Sequence, residues 1–211
     1  MDKFLIADDH PLFREALKSA LQTAFAGVNY LESDSFTTTI NSLRRQRTVS
    51  LLLLDLNMPG CDNYYGLLKI RQTFPNLPIA VVSASDDLET IAESMEFGAN
   101  AFIPKTTATS EMVTALKIVL SGGSWVPPSI RDAIKEVSSE KVEIAEKVSE
   151  LTTKQFMVLR LVKKGLMNKE IAAQLNVTEA TVKAHVSMLF KRLGVKSRTQ
   201  ILVVIEKLKL E

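Results

Sequence analysis

Four consecutive leucines, Leu51 to Leu54, end on Asp55 and are followed by Leu56-Asn57-Met58-Pro59-Gly60. A wholly apolar run this short, closed by a Pro-Gly turn, fits a strand buried on both faces of a parallel sheet, where no alternation is required. Asp55 then stands at the carboxyl end of that strand, the end outside which open α/β sheets bind their ligands.

The rest of the first 121 residues repeats a strand-then-helix pattern. Phe4-Leu5-Ile6-Ala7 ends on Asp8-Asp9, and Pro11 opens a helix whose apolar positions are Leu12, Phe13, Ala16, Leu17, Ala20, Leu21 and Ala24. Tyr30-Leu31 is a weaker strand, and Ser35 can cap a helix through Ile40 and Leu43. A third helix is expected from about Tyr65 to Phe74, stopped by Pro75. Pro78-Ile79-Ala80-Val81-Val82-Ser83 is again an apolar strand ending on a polar residue, and Leu88, Ile91, Ala92 and Met95 mark a helix closed by Gly98. Ala101-Phe102-Ile103-Pro104-Lys105 and a helix through Met112, Leu116 and Leu120 complete five units. Five successive βα units imply a parallel sheet with helices on both faces.

Gly122-Gly123 and Pro127-Pro128 break this regularity. Residues 129 to 150 are charged, with sparse apolar positions at Ile130, Ile134, Val137, Val142, Ile144 and Val148, which reads as a hinge and a solvated linker helix or, alternatively, a short coiled-coil contact. From Leu151 the periodicity is helical throughout. Thr152 with Gln155 forms a capping box, Gly165 closes that helix, and Asn168 can cap a short second one that Asn176 ends. Thr178 can cap a third carrying Val182, Val186 and Leu189 as far as Gly194, and Ser197 a fourth running through Leu208. Two short helices joined by a tight turn form a helix-turn-helix.

Charge separates the two ends. Residues 1–125 carry 10 Lys+Arg against 14 Asp+Glu, net −4, whereas residues 151–211 carry 12 against 4, net +8. A basic helical module of that size suits a polyanion such as DNA. The longest uninterrupted apolar run, Ile201 to Ile205, is far below the roughly 20 residues of a membrane span. The single cysteine, Cys61, allows no internal disulfide and is expected to be inert, and the simplest compartment is the cytoplasm.

Successive strand ends deliver Asp8 and Asp9, Asp55, Ser83 and Lys105 to one rim. Three carboxylates in a pocket repel one another by roughly 1–4 kcal/mol per pair at 4 Å, and an oxygen-only donor set favours Mg²⁺ as the compensating ion. Metal, ammonium and hydroxyl around a carboxylate suit a phosphoryl group, with Asp55 as nucleophile. Taken singly, Asp8-Asp9 or Ser83 could merely cap helices and Lys105 could be an ordinary surface lysine; His10 reads as a helix-start residue rather than a base.

These residues carry a resemblance. Asp8-Asp9-His10-Pro11, Asp55-Leu56-Asn57-Met58-Pro59-Gly60, Val82-Ser83-Ala84 and Gly98-Ala99-Asn100-Ala101-Phe102-Ile103-Pro104-Lys105 resemble the receiver domain of two-component response regulators, and Leu151 to Thr199 resembles a LuxR-type helix-turn-helix. Together they are similar to the NarL/FixJ class of transcription regulators. The resemblance implies a flavodoxin-like (βα)5 doubly wound receiver over residues 1–123, a partly helical linker over 124–148, and a four-helix DNA-binding domain over 149–211. It implies phosphotransfer from a histidine kinase to Asp55, with Mg²⁺ held by Asp9, Asp55 and the Asn57 carbonyl and by Asp8 through water. Ser83 would hydrogen-bond the phosphoryl group, Lys105 would pair with it, and Phe102 would be the aromatic that reorients. Lys183 and Ser187 would lie near base edges with Ala184 in apolar contact, and Lys169, Thr178, Thr181, Lys191, Arg192, Lys196 and Arg198 would meet phosphates. A phosphorylated homodimer on promoter DNA is expected, with RNA polymerase as a further partner.

Two positions depart from the receiver pattern. Thr106 follows Lys105 where proline is common, so a cis bond there is less assured, and Asn63 stands where glycine is common. Two other function classes stay open from the residues alone. One is an Asp-dependent phosphatase, which would leave the helix-turn-helix unexplained. The other is a DNA-binding regulator independent of phosphorylation and controlled by a protein or small-molecule partner.

Overall fold

The computed structural model describes residues 2–46, 48–62, 64–131, 133 and 140–207. The chain divides into two compact units, Met1–Val137 and Ser138–Glu211.

The first unit alternates strand and helix: β1 (Lys3–Ala7), α1 (Pro11–Ala24), β2 (Asn29–Ser33), α2 (Phe36–Arg45), β3 (Leu51–Leu54), α3 (Tyr64–Thr73), β4 (Ile79–Ser83), α4 (Leu88–Glu96), β5 (Ala101–Pro104) and α5 (Thr109–Leu120). The sheet order is β2-β1-β3-β4-β5 with every pairing parallel. The tetraleucine strand is therefore central, flanked by β1 and β4, and all four of its leucines are buried. Alternate residues face opposite ways, so Leu51 and Leu53 join Phe4, Ile6, Ala80, Val82 and Ile103 against Leu17 and Leu21 of α1 and Met112, Leu116 and Val119 of α5. Each such leucine contributes about 1.5–3 kcal/mol by leaving water.

Local chemistry sets the boundaries. Ser35 caps α2 in a capping box with Thr38, and Asp87 caps α4 through the Thr90 N–H. The cap of α4 is thus Asp87 and not Ser83. In α1 the expected apolar stripe is only partly buried: Leu17 and Leu21 are inside, but Leu12 is 83% exposed and Ala16 is exposed too. Phe13, in the same early turns, packs against the core, so Leu12 and Ala16 stand on the side of α1 turned away from it. Residues after α5 are not simply a hinge. Trp125 and Val126 are buried, Phe102 N–H donates to the Trp125 carbonyl at 3.1 Å, and Trp125 N–H donates to Asn100 at 3.0 Å. The indole buries against β5 and α5, which carries the chain back along the sheet edge.

The second unit comprises α6 (Glu140–Ser149), α7 (Thr153–Lys163), α8 (Asn168–Leu175), α9 (Glu179–Leu193) and α10 (Arg198–Lys207). The segment expected as a solvated linker contributes to this core: Ala145 and Val148 are buried and α6 packs against α9. Ile134, Val137 and Leu208, and the Val142 side chain, lie outside the described residues. Thr152 and Gln155 form the capping box of α7. Asn176 ends α8 in the left-handed conformation, φ 52°, and Gly194 ends α9 at φ 72°. Asn168 does not cap α8. Its side-chain oxygen accepts from Arg198 instead, and Glu170 reaches back to the Met167 N–H at 2.6 Å.

Candidate functional site

The loop after β3 is built to hold its polar groups still. Leu56, Met58 and Cys61 are buried beneath it, Cys61 N–H donates to the Met58 carbonyl, and Gly66 N–H closes the turn onto Cys61 at 2.8 Å. Burial pushes the Cys61 thiol well up, consistent with an inert side chain. A side chain at Gly66 would put its Cβ 3.0 Å from Cys61 Cα, so only glycine permits this approach. Asp62 takes the left-handed conformation, φ 45°, while Asn63 lies outside the described residues. Asn57 N–H then donates to Asp55 Oδ1 at 3.1 Å.

Around Asp55 the strand ends converge. Asp55 N–H donates to the Ala7 carbonyl at 2.8 Å, which sets the carboxylate beside the Asp8 end of β1. Lys105 N–H donates to the Ser83 carbonyl at 2.7 Å, tying the end of β5 to the end of β4. The Lys105 ammonium lies 3.0 Å from Asp55 Oδ2 and 2.6 Å from Asp8 Oδ2, and 4.7 Å from the centre of the Phe13 ring. Asp8 and Asp55 are buried, Asp9 is half-buried and Asn57 is exposed. Ser83 is buried on the same rim, and its Oγ accepts from Ser85 N–H at 3.2 Å. Phe102 is wholly buried in β5, paired in register with Val81. The described residues contain no cis peptide bond.

Burial raises the Asp55 carboxyl above its ordinary range, and the charge of Asp8 adds to that against the Asn57 N–H and the Lys105 ammonium. Burial pulls the Lys105 ammonium the other way, but hydrogen bonds and attraction from Asp8 and Asp55 outweigh it and raise its value. Asp8 and Asp55 thus share one ammonium, while Asp9 pairs with His10 at 2.8 Å. One carboxylate oxygen from each of Asp8, Asp9 and Asp55, together with a ring nitrogen of His10, lie within 4.8 Å of one another, an arrangement that fits a divalent cation. Sequence reasoning left His10 and Phe13 out of this constellation. The spacing that marks α1 as amphipathic assigns Phe13 to the core, and a histidine before a proline reads only as a helix start.

The second unit presents a different surface. In α9, Val182, Val186, Leu189 and Leu193 are buried, whereas Lys183, Ala184 and Ser187 are exposed on one side. Lys183 pairs with Glu179 at 3.0 Å, and Ser187 Oγ donates to the Lys183 carbonyl. Lys169, Lys191 and Lys196 are exposed, and exposed Arg192 is paired with Glu150 at 2.7 Å. Other expected phosphate contacts already have structural duties. Thr178 caps α9 through the Thr181 N–H, the two hydroxyls being 2.8 Å apart. Arg198 donates to the Leu166 carbonyl and to Asn168 Oδ1, joining the start of α10 to the start of α8.

Residues 4–117 match the response regulator receiver domain and residues 149–205 match the bacterial regulatory proteins of the luxR family. The chain is 38% identical over 205 residues to the glycerol metabolism activator of Pseudomonas putida, covering 95% of this chain and 93% of that protein. It is 28% identical over 197 residues to the nitrate/nitrite response regulator protein NarL of Escherichia coli, covering 93% and 91%. Among solved structures it resembles RcsB from Salmonella enterica serovar Typhimurium bound to a promoter in the presence of the phosphomimetic BeF3⁻, with a TM-score of 0.58, 26% identity and 98% of each chain covered.

Proposed function

The chain belongs to the response regulators that join a receiver domain to a LuxR-family DNA-binding domain, and from that premise we propose that it accepts a phosphoryl group on Asp55 and, in that state, binds promoter DNA through α9. The observation that carries the reading is the Lys105 ammonium held between Asp55 and Asp8 where β1, β3 and β5 end. In the reaction a carboxylate oxygen of Asp55 attacks phosphorus as the bond from phosphorus to its donor, a kinase histidine, breaks. Asp8, Asp9, Asp55 and the Asn57 carbonyl would hold Mg²⁺, which when bound supplies positive charge to the phosphoryl oxygens. Lys105 then exchanges a carboxylate partner for a phosphoryl oxygen, and the Ser83 hydroxyl donates to another. Phe102, one strand position from Ile103 and three from Lys105, is the aromatic that would follow these shifts. The RcsB complex, which combines DNA with a phosphomimetic, supports the order of events by likeness.

For the second unit we propose that Lys183 and Ser187 meet base edges with Ala184 against them, and that Lys169, Lys191, Arg192, Lys196 and Arg198 meet phosphates with Thr178 and Thr181 at the helix start. The reading includes a homodimer on paired half-sites, a cytoplasmic location and contact with RNA polymerase. The domain limits it uses are a receiver over 1–123, a connecting segment over 124–148 and a DNA-binding domain over 149–211.

The test is acetyl phosphate labelling in Mg²⁺. Asp55→Asn should carry no acyl phosphate, because that residue alone forms the bond. Lys105→Ala should still be labelled but fail to raise DNA affinity, because the ammonium reads the new charge. Stable label on the Asp55→Asn protein rejects the assignment of the nucleophile.

A further inference from the structure

The Lys105 ammonium has a neighbour that is not a carboxylate. The centre of the Phe13 ring lies 4.7 Å from it, within the roughly 6 Å over which an aromatic face attracts a cation. That ring is held firmly. Phe13 packs against the core one turn before buried Leu17, on the same face of α1. Beside it the Arg14 guanidinium donates to the Asp8 carbonyl at 2.6 Å and pairs with Glu32 at 3.3 Å, which fastens the first turn of α1 to the residue after β1 and to β2. Lys105, by contrast, reaches the rim on a flexible four-carbon stem. Its ammonium has three N–H groups and two carboxylate neighbours, Asp8 at 2.6 Å and Asp55 at 3.0 Å. The ring is a third neighbour that makes no claim on either carboxylate.

We propose that Phe13 is a positioning residue for phosphoryl acceptance: its ring keeps the Lys105 ammonium at the Asp55 rim while the carboxylate partners of that ammonium change. The inference rests on the proposed roles of Asp55 and Lys105 and adds the group that holds the lysine in place. When a phosphoryl group arrives on Asp55, Lys105 gives up a carboxylate oxygen and takes a phosphoryl oxygen. A hydrogen bond to a particular acceptor is lost in such a move, whereas attraction to a ring face requires only that the charge stay over it. Without the ring the stem turns part of the time toward water, to which 15% of the side-chain surface is already open, and the fraction of chains with the ammonium in reach falls. Leucine at this position keeps the apolar packing but offers the ammonium no negative face.

The experiment measures two things on the full chain: the rate of acetyl phosphate labelling in Mg²⁺, and the ring-current shift of the Lys105 ε-methylene protons, assigned by their absence in Lys105→Ala. Phe13→Leu should slow labelling about threefold, as a partly exposed cation–π contact implies, and move the ε-methylene resonances downfield towards those of an exposed lysine. Phe13→Tyr, which restores a ring face, should return both to native values. In the Lys105→Ala background Phe13→Leu should change labelling no further, whereas a mere loss of packing would slow it again. A second slowing there, or native-rate labelling of Phe13→Leu itself, overturns the positioning role. Stable label on Asp55→Asn rejects instead the phosphoryl reading beneath it. The lysine proton shifts need no phosphodonor, so if Phe13→Leu leaves them unmoved the hold of the ring on the ammonium is rejected, whatever the labelling shows.

Discussion

At Asp55 the environment works against the charge that the proposed chemistry needs. Burial raises the carboxyl, and only the Asn57 N–H and the Lys105 ammonium restrain it. The same opposition appears away from the site at Tyr64, buried in the first turn of α3. Its hydroxyl is pushed far up, first by burial and then by the neighbouring Glu93 carboxylate, against a hydrogen bond with Thr90. The sign of the consequence is fixed by linkage. The folded-state value lies above the ordinary 10.0, so the unfolded chain gives up this proton first as pH rises. Stability is intact below pH 10 and falls above it, by up to about 1.4 kcal/mol per pH unit for one group. Denaturant unfolding at pH 9, 10 and 11 should therefore show a steeper loss in the native protein than in Tyr64→Phe, whose stability is lower at pH 9 but flatter. Parallel pH profiles would show that the hydroxyl ionises alike in both states.

Between elements, small polar ties decide what hydrophobic spacing leaves open. Arg198 joins the start of α10 to the Leu166 carbonyl and to Asn168 at the start of α8. Hydrogen bonds to a charged group are worth about 1.5–3 kcal/mol, so Arg198→Ala should lower the stability of the second unit by about 2 kcal/mol as well as weaken DNA binding. Lys196→Ala should weaken binding to all sequences alike with no loss of stability, and Lys183→Ala should cost about 1–3 kcal/mol of binding and relax base preference. Melting curves and binding titrations on the three variants separate these roles. An Arg198→Ala protein that melts like the native one would reassign that residue to DNA alone. The same contrast explains what was legible in the sequence. The ten elements of the first unit, the Thr152 and Ser35 caps and the exposed side of α9 follow from periodicity and cap chemistry, which are local. Trp125 returning to β5, α6 packing on α9, and Asn168 giving its oxygen to Arg198 depend on partners 23 or more positions away, which spacing does not encode. At the acidic cluster Asp8, Asp9, Asp55, Ser83 and Lys105 were legible because each ends a strand. His10 was not, because its approach to the carboxylates depends on the turn between β1 and α1.

At the scale of the whole chain, the decisive feature is that opposite charges are tethered. Residues 1–125 carry net −4 and residues 151–211 net +8, joined covalently. A covalent tether holds attached modules at an effective concentration in the mM range, so DNA, itself a dense polyanion, must bind the basic module in the standing presence of an acidic one. Part of the attraction to phosphates is thereby offset before any specific contact forms. The magnitude depends on salt, because exposed charges lose sight of one another beyond about 8–10 Å at physiological ionic strength. We expect residues 138–211, which form a compact unit with a buried core of their own, to bind DNA more tightly than the unphosphorylated full chain at low salt. The difference should shrink as salt rises, since it is electrostatic in origin. The proposed dimerisation would act in the other direction, because linking two modules on one DNA can raise affinity by about 10²–10⁴ without a new contact. The phosphorylated full chain should therefore surpass the isolated module on paired half-sites but not on a single half-site. Binding titrations of the three species on one-site and two-site duplexes, each over a salt series, measure both effects. A difference between isolated module and resting chain that is unchanged from low to high salt would reject the electrostatic origin of the restraint.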